Sequence, residues 1–146
     1  MGYYVELTAA DFEIPENEQV LQVLKDLNHK PGVKKNGGSY TGGAKQQSWF
    51  SWLAPDYDKH VTSVYEMFEM LGFECSLSVD KNTVTLMAYD NKIGQEHLFI
   101  EAVAPYTAEG SYLQWRGEDG AEWRYVVEDG GVRAYERANQ WQAATS

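Results

Sequence analysis

The sequence is poor in cysteine and has no long apolar run. Cys75 is the only cysteine among 146 residues, which rules out a disulfide framework within the chain and a zinc site built from several cysteines. No stretch approaches the ~20 apolar residues that a membrane-spanning helix needs. The N-terminus also lacks the basic segment and apolar run of a signal peptide. These absences predict a protein of the reducing cytoplasm that does not contact a membrane.

Sequence motifs of common enzyme classes are missing as well. The chain contains no H-E-x-x-H, C-x-x-C or G-x-S-x-G pattern, so it shows none of the usual zinc-protease, redox or serine-hydrolase signatures. The histidines, His29, His60 and His97, have no partner at helical spacing and are expected at the surface. We therefore predict a protein that is not an enzyme and that holds neither a cofactor nor a metal.

One glycine-rich stretch invites comparison with the phosphate loop of nucleotide hydrolases. Gly38 and Gly43 have the spacing of that loop, in which a lysine and a hydroxyl residue must follow the second glycine directly. Here Ala44 intervenes, Lys45 comes one position late, and Gln46 replaces the hydroxyl residue. The pattern excludes a phosphate loop of this type and instead predicts a flexible hairpin or mobile lid.

Acidic residues are absent from that same part of the chain. The formal net charge is −10, yet residues 27–55 contain four lysines and no Asp or Glu. This segment therefore carries +4, which leaves −14 for the rest of the chain. Such an acidic balance argues against direct binding of nucleic acid. The basic segment is either a solvated loop or a site for a phosphate-bearing ligand, in which lysine charges and glycine backbone N–H groups contact the phosphates.

Aromatic and arginine residues extend this prediction. The aromatic side chains around the basic segment serve either core packing or the stacking of a nucleobase. Arg116, Arg124 and Arg133 fall on successive predicted strands, where they form either a cross-strand ladder with Glu122 or Tyr112 or a guanidinium fork for phosphate. The predicted ligand-binding residues are Lys34, Lys35, Tyr40, Lys45, Trp49, Trp52, Arg116 and Arg124.

Hydrophobic periodicity predicts one α+β domain over residues 1–138, followed by a tail over 139–146. The domain is expected to hold an antiparallel sheet with helices packed on one face. The predicted strands cover 3–8, 48–53, 73–79, 83–89, 111–116, 121–127 and 132–136. The predicted helices run from Pro15 to before Pro31, from a cap at Asp56 or Asp58 to Gly72, and over 95–104.

The stretch GSYLQWRGEDGAEWRYVVEDGGV, together with WFSW and the Asp-rich helix start that follows it, resembles YubB-like proteins, which are small proteins encoded by bacteriophages and their hosts. The resemblance implies a ferredoxin-like arrangement of the sheet and an origin in a phage or mobile element. It brings no catalytic residues with it.

Two functions follow as expectations. In the first, the protein is a phage counter-defence factor in the host cytoplasm that sequesters a phosphate-bearing nucleotide signal without catalysis. In the second, it is an acidic interaction module or nucleic-acid mimic that inhibits a host defence protein through carboxylates on the first helix and on the meander turns. A homo-oligomer is compatible with both, because aromatic residues are abundant and an open sheet leaves edge strands. The carboxylates concerned are Asp11, Glu13, Glu16, Glu18, Glu118, Asp119, Glu122, Glu128 and Asp129.

Overall fold

A computed structural model describes the backbone of residues 2–41, 44–137 and 141–143 and the side chains of residues 2–38 and 47–137. Helices and antiparallel strands alternate irregularly along the chain, which confirms the α+β class. In chain order the elements are β1 (Tyr4–Asp11), β2 (Glu13–Pro15), α1 (Glu18–Asp26), β3 (Gly37–Thr41), β4 (Ala44–Trp49), α2 (Val64–Leu71), β5 (Glu74–Leu77), β6 (Thr83–Ala88), β7 (Asp90–Lys92), α3 (Glu96–Val103), β8 (Tyr112–Gly117), β9 (Glu122–Glu128), β10 (Gly131–Arg137) and β11 (Trp141–Ala143).

The described strands form a main sheet and two small ones. The main sheet has the order β11-β10-β9-β8-β1-β7, and β2-β6-β5 and β3-β4 make the other two. Every pairing is antiparallel. The predicted meander is confirmed as β8, β9 and β10, and residues 141–143, which the sequence pattern assigns to a tail, pair with β10. A ferredoxin-like arrangement is not confirmed by this strand order.

The first helix starts later than its proline suggested. Pro15 ends β2, where it lies opposite Thr83, and the Asn17 side chain accepts a hydrogen bond from Val20 N at 2.9 Å to cap α1. An Asn cap satisfies one of the N–H groups that a helix start leaves open, so the prediction of a helix start at Pro15 is wrong.

The second helix also begins later than predicted. Ser63 caps α2 by accepting a hydrogen bond from Glu66 N at 3.0 Å, so the prediction of a cap at Asp56 or Asp58 is wrong. Asp56 instead directly precedes a short 3₁₀ turn over Tyr57–Lys59, and Asp58 lies within that turn. The predicted helix end is confirmed, because Gly72 lies directly after α2 with a φ of 111°.

The strand predicted over 48–53 is only partly right. Strand β4 ends at Trp49, and residues 51 and 52 form a turn that is closed by a hydrogen bond from Leu53 N to Phe50 O at 3.0 Å. Phe50 belongs to the core rather than to a strand face, where its ring meets the edges of Tyr57 and Phe99. Alternating aromatics thus mark a strand end and a turn here.

The core lies between the helices and one face of the main sheet. Buried residues of all three helices form one cluster with Leu113, Trp115 and Val127 of the main sheet. Strand alternation turns the intervening residues to the opposite face, which includes Arg116 and Arg124. The helices therefore cover one face of this sheet and leave the arginine face open.

Candidate functional site

Strands β3 and β4 form a hairpin in the middle of the acid-free segment, residues 27–55, as the sequence predicts. Gly37 lies opposite Trp49, and Tyr40 lies opposite Lys45 after a register shift. The Trp49 indole packs so closely on Gly37 that a β-carbon there would lie 1.9 Å from Nε1. The side chains of Tyr40 and Lys45, both predicted ligand contacts, lie outside the described residues.

A single buried side chain ties the root of this hairpin to α3. The Gln95 Oε1 atom accepts hydrogen bonds from Asn36 N at 2.9 Å and Ser51 N at 3.2 Å. Its Nε2 group donates to Lys34 O at 2.8 Å. Gln95 is only 4% exposed, so these bonds are shielded from water. Because Asn36 precedes β3 and Ser51 follows β4, one residue fixes both ends of the hairpin.

Trp52 lies just beyond this root in an unusual conformation. Its φ is 74°, a left-handed value that is rare for bulky residues. Its side chain is 47% exposed, and its indole lies on Gly94, where a β-carbon would be 2.3 Å from Nε1. The fold thus holds an aromatic ring half in solvent beside the start of α3.

A buried carboxyl group lies under the same glycine. Glu96 is 3% exposed, and its Oε2 atom accepts a hydrogen bond from Gly94 N at 2.9 Å. Burial raises the pKa of Glu96, although the hydrogen bonds that it accepts from backbone N–H groups oppose the shift. The pKa of Tyr89 is also raised, chiefly by burial and further by the nearby Glu96 charge.

Lys34 and Lys35 of the acid-free segment differ in their contacts. Lys35 Nζ donates to Asn28 O at 2.8 Å and lies 5.2 Å from the centre of the Phe50 ring. These contacts hold the chain before β3 against the core. Lys34 is exposed, and its backbone carbonyl accepts the hydrogen bond from Gln95. Of the two lysines, Lys34 is therefore the more exposed.

The two predicted arginines lie elsewhere, on the open face of the main sheet. Arg116 forms an ion pair with Glu6. Arg124 Nη2 donates to Gln114 Oε1 at 2.7 Å, and its guanidinium lies 4.8 Å from the centre of the Tyr112 ring. The predicted cross-strand contact with Tyr112 is confirmed for Arg124, whereas Arg116 pairs with Glu6 instead of Glu122. The predicted site residues therefore fall into a hairpin group and a sheet group.

Histidines and carboxylates mostly serve local structure. His29 and His60 are exposed and pair with Asp58 at 2.8 Å and Asp56 at 3.0 Å. Burial alone would raise the pKa of Asp58, but hydrogen bonds from His29 and Asn28 outweigh it and lower the pKa. Within residues 2–38 and 47–137, whose side chains are described, no group of three or more His, Cys, Asp or Glu residues could hold a metal.

Several contacts at the hairpin root could not be predicted from the sequence. Gln95 and Glu96 lie at the predicted helix start. The hydrogen-bond partners of Gln95 are more than 40 residues away in the chain. Glu96 is buried, which its sequence position does not indicate. The positive φ of Trp52 had one weak indication in the sequence. The alternation of aromatic residues stops at position 52, as it would at a turn.

Comparison with known proteins adds no relatives. No family model, no curated protein and no solved structure matches the chain. Among the described helices, none has the length and apolar character needed to cross a membrane.

Proposed function

We propose that this protein binds a nucleotide at the root of the β3–β4 hairpin without catalysing its conversion. The observation that carries the proposal is Trp52, a half-exposed indole in a left-handed backbone conformation at the end of the acid-free segment. A bulky residue in that region costs about 1–3 kcal/mol of strain, and such strain clusters at functional sites. In this proposal the indole stacks on the base, which any purine or pyrimidine permits.

Charge around Trp52 favours a phosphate-bearing ligand. Lys34 and Trp52 both contact the Gly94–Gln95 pair, because Gln95 donates to the Lys34 carbonyl and the Trp52 indole lies on Gly94. The segment from residue 27 to 55 adds no carboxylate to repel a phosphate. Lysine–phosphate hydrogen bonds are charge-assisted and strengthen when water is excluded. Lys34 is accordingly assigned to the phosphates and Trp52 to the base.

The resemblance to YubB-like phage proteins suggests a biological role for this proposed nucleotide binding. Sequestering a nucleotide signal in the host cytoplasm would counter a host defence that depends on that signal. The same resemblance implies a ferredoxin-like arrangement within the α+β class, and this stays a prediction.

Thermal unfolding with a nucleotide panel tests the proposal. The panel holds mononucleotides, dinucleotides, cyclic oligonucleotides and ADP-ribose derivatives. A ligand at about one hundred times its Kd stabilises the fold by about 2.7 kcal/mol, which raises Tm by several degrees in a domain of this size. We expect one nucleotide class to produce this shift and the others to leave Tm unchanged.

Two variants and one control locate the site. Trp52→Gly removes the ring and suits the left-handed backbone, and Lys34→Ala removes an exposed charge. Both should abolish the shift while keeping the unliganded Tm within a few degrees. Lys59→Ala removes an exposed lysine outside the hairpin and should bind like the wild type. A panel without any shift, or binding that survives both variants, would refute the hairpin site.

An acidic interaction module is the alternative function. A cavity of about 380 Å³ has Asp11, Glu13 and Glu109 in its lining, and none of its described lining residues is a lysine or arginine. This lining suits a basic partner. Other carboxylates named for this role already serve the fold, since Glu16 binds the start of α2 and Glu118 accepts from Tyr4 N. Capture of a basic host protein that weakens as salt is raised would favour this alternative.

A further inference from the structure

The open face of the main sheet gathers every arginine of the chain. Arg116 lies on β8, Arg124 on β9, and Arg133 and Arg137 on β10. Register places them on the same side, since Gln114 opposes Arg124 and Arg124 opposes Tyr135. Their neighbours Trp115 and Val127 point into the core instead. An acidic protein has thus concentrated its guanidinium groups on the sheet face that its helices leave uncovered.

Carboxylates balance these cations on the same face. Arg137 Nη1 lies 3.0 Å from Glu122 Oε2, Arg133 Nη1 lies 4.0 Å from Glu128 Oε1, and Arg116 contacts Glu6. By strand register the face carries five cations and five carboxylates. These are Lys92, Arg116, Arg124, Arg133 and Arg137 with Glu6, Asp11, Asp90, Glu122 and Glu128.

Tyrosines lie between the charges and hold the cations in place. The Arg124 guanidinium stacks 4.8 Å from the Tyr112 ring centre, Arg133 lies 5.7 Å from that of Tyr135, and Lys92 Nζ lies 5.8 Å from that of Tyr4. Groups already ordered in this way lose less conformational entropy on association. Tyr and Arg are also the residues that protein interfaces favour over ordinary surface.

We propose that this face, the arginine–tyrosine face, is the contact between two copies of the chain in a symmetric dimer. Two copies that each carry −10 repel one another through most of their surface, but not through a face whose charges cancel. In a two-fold contact the guanidinium groups of one copy meet the carboxylates and tyrosines of the other, so each face complements itself. The same balance disfavours a polyanion such as RNA, because each arginine has a carboxylate, amide or ring close by.

The available area suits a weak dimer. Strands β1, β8, β9 and β10 have six to eight residues each and β7 has three. At about 3.4 Å per residue and about 4.8 Å between strands, they give a face of about 500 Å² per copy. Two such faces bury about 1,000 Å² in total, which is near the lower limit of specific interfaces. We therefore expect a dimer that forms reversibly with a micromolar Kd.

Sedimentation equilibrium over a wide concentration range tests the proposal directly. The mass of the wild type should rise from 16.6 kDa toward twice that value, and the Kd should increase between about 0.05 and about 0.5 M salt as the charges are screened. A wild type that stays monomeric at every concentration would overturn the proposal. A dimer whose Kd does not change with salt concentration would also overturn it.

Charge reversal locates the contact. Arg133 has a side chain that is 61% exposed, and its ion pair is long, so Arg133→Glu should leave folding intact and raise the dimer Kd by about tenfold or more. Arg116→Glu provides a second reversal on β8 in case the first variant fails to fold. Lys81→Glu changes the net charge equally, but its residue lies in the exposed β5–β6 turn, so it should dimerise like the wild type. Equal weakening by Lys81→Glu, or RNA binding through this face, would contradict the assignment.

Discussion

The Trp52 indole lies directly on Gly94, and a β-carbon at position 94 would come within 2.3 Å of the indole nitrogen. The same position brings Gly94 N to the buried Glu96 carboxylate. A side chain at position 94 must therefore displace the indole, the carboxylate or both. This contact links the exposed ring of the proposed site to the start of α3.

Gly94→Ala should consequently lower stability and free the Trp52 ring. We expect a loss of about 1–3 kcal/mol, the usual cost of overpacking, and stronger quenching of tryptophan fluorescence by acrylamide. Gly131→Ala is the matched control, because the atom nearest to its new β-carbon would be Glu128 O at 3.8 Å. An alanine at 94 that leaves both stability and quenching unchanged would show that Trp52 does not depend on this contact.

Gln95 should matter more for stability than its position before a helix suggests. Gln95→Ala leaves the Asn36 and Ser51 N–H groups and the Lys34 carbonyl without their partner. A buried polar group that loses its partner costs about 1–3 kcal/mol, so urea unfolding should show a loss of at least about 2 kcal/mol. Hydrogen exchange at Asn36 and Ser51 should accelerate more than exchange in the main sheet.

Gln22→Ala serves as the comparison for Gln95. Its side chain makes an exposed hydrogen bond to Asp26 at 2.8 Å within α1, so its removal should change stability by less than about 0.5 kcal/mol. If the two variants unfold alike, Gln95 does not hold the hairpin root.

Glu16 should stabilise a helix that lies far from it in sequence. Its carboxylate accepts hydrogen bonds from Val64 N at 3.0 Å and Tyr65 N at 2.9 Å, where the N-terminus of α2 favours negative charge. Glu16→Ala should lower the free energy of unfolding by about 0.5–2 kcal/mol, the range for a lost cap. Glu18→Ala, an exposed change in the first turn of α1, should cost less in the same denaturant titration.

Local patterns predicted the parts of the fold that local contacts determine. The meander and the β5–β6 hairpin follow from alternation and turn residues, and the contact of Arg124 with Tyr112 follows from the register of adjacent strands. Helix starts were misplaced where the sequence offers more than one residue that can cap a helix. For α2 these residues include Asp58 and Ser63, and the structure uses Ser63. Gln95 and Glu16 could not be identified as anchors, because their partners come from segments distant in the chain.

The buried Glu96 carboxyl should make stability depend on pH in the direction opposite to most carboxylates. Its folded pKa is raised above the ordinary 4.5, first by burial, so the folded state holds this proton more tightly than the unfolded state does. Its contribution is thus fully present below about pH 4.5 and is lost as the pH rises through the folded pKa. Asp58 has the opposite sign, because its lowered pKa stabilises the fold above pH 3.8 and that contribution is lost on acidification.

Glu96→Gln separates these effects, because its amide oxygen can still accept from Gly94 N but cannot ionise. The difference in unfolding free energy between variant and wild type should shift in favour of the variant as the pH rises from about 4.5 toward neutrality. Glu101→Gln, an exposed change on the same helix, should give a difference that varies little over that range. Urea titrations of all three proteins across the pH series measure this directly. A Glu96→Gln difference that stays constant with pH would show that the carboxyl is not held in the buried, proton-favouring environment beneath Gly94 and Trp52.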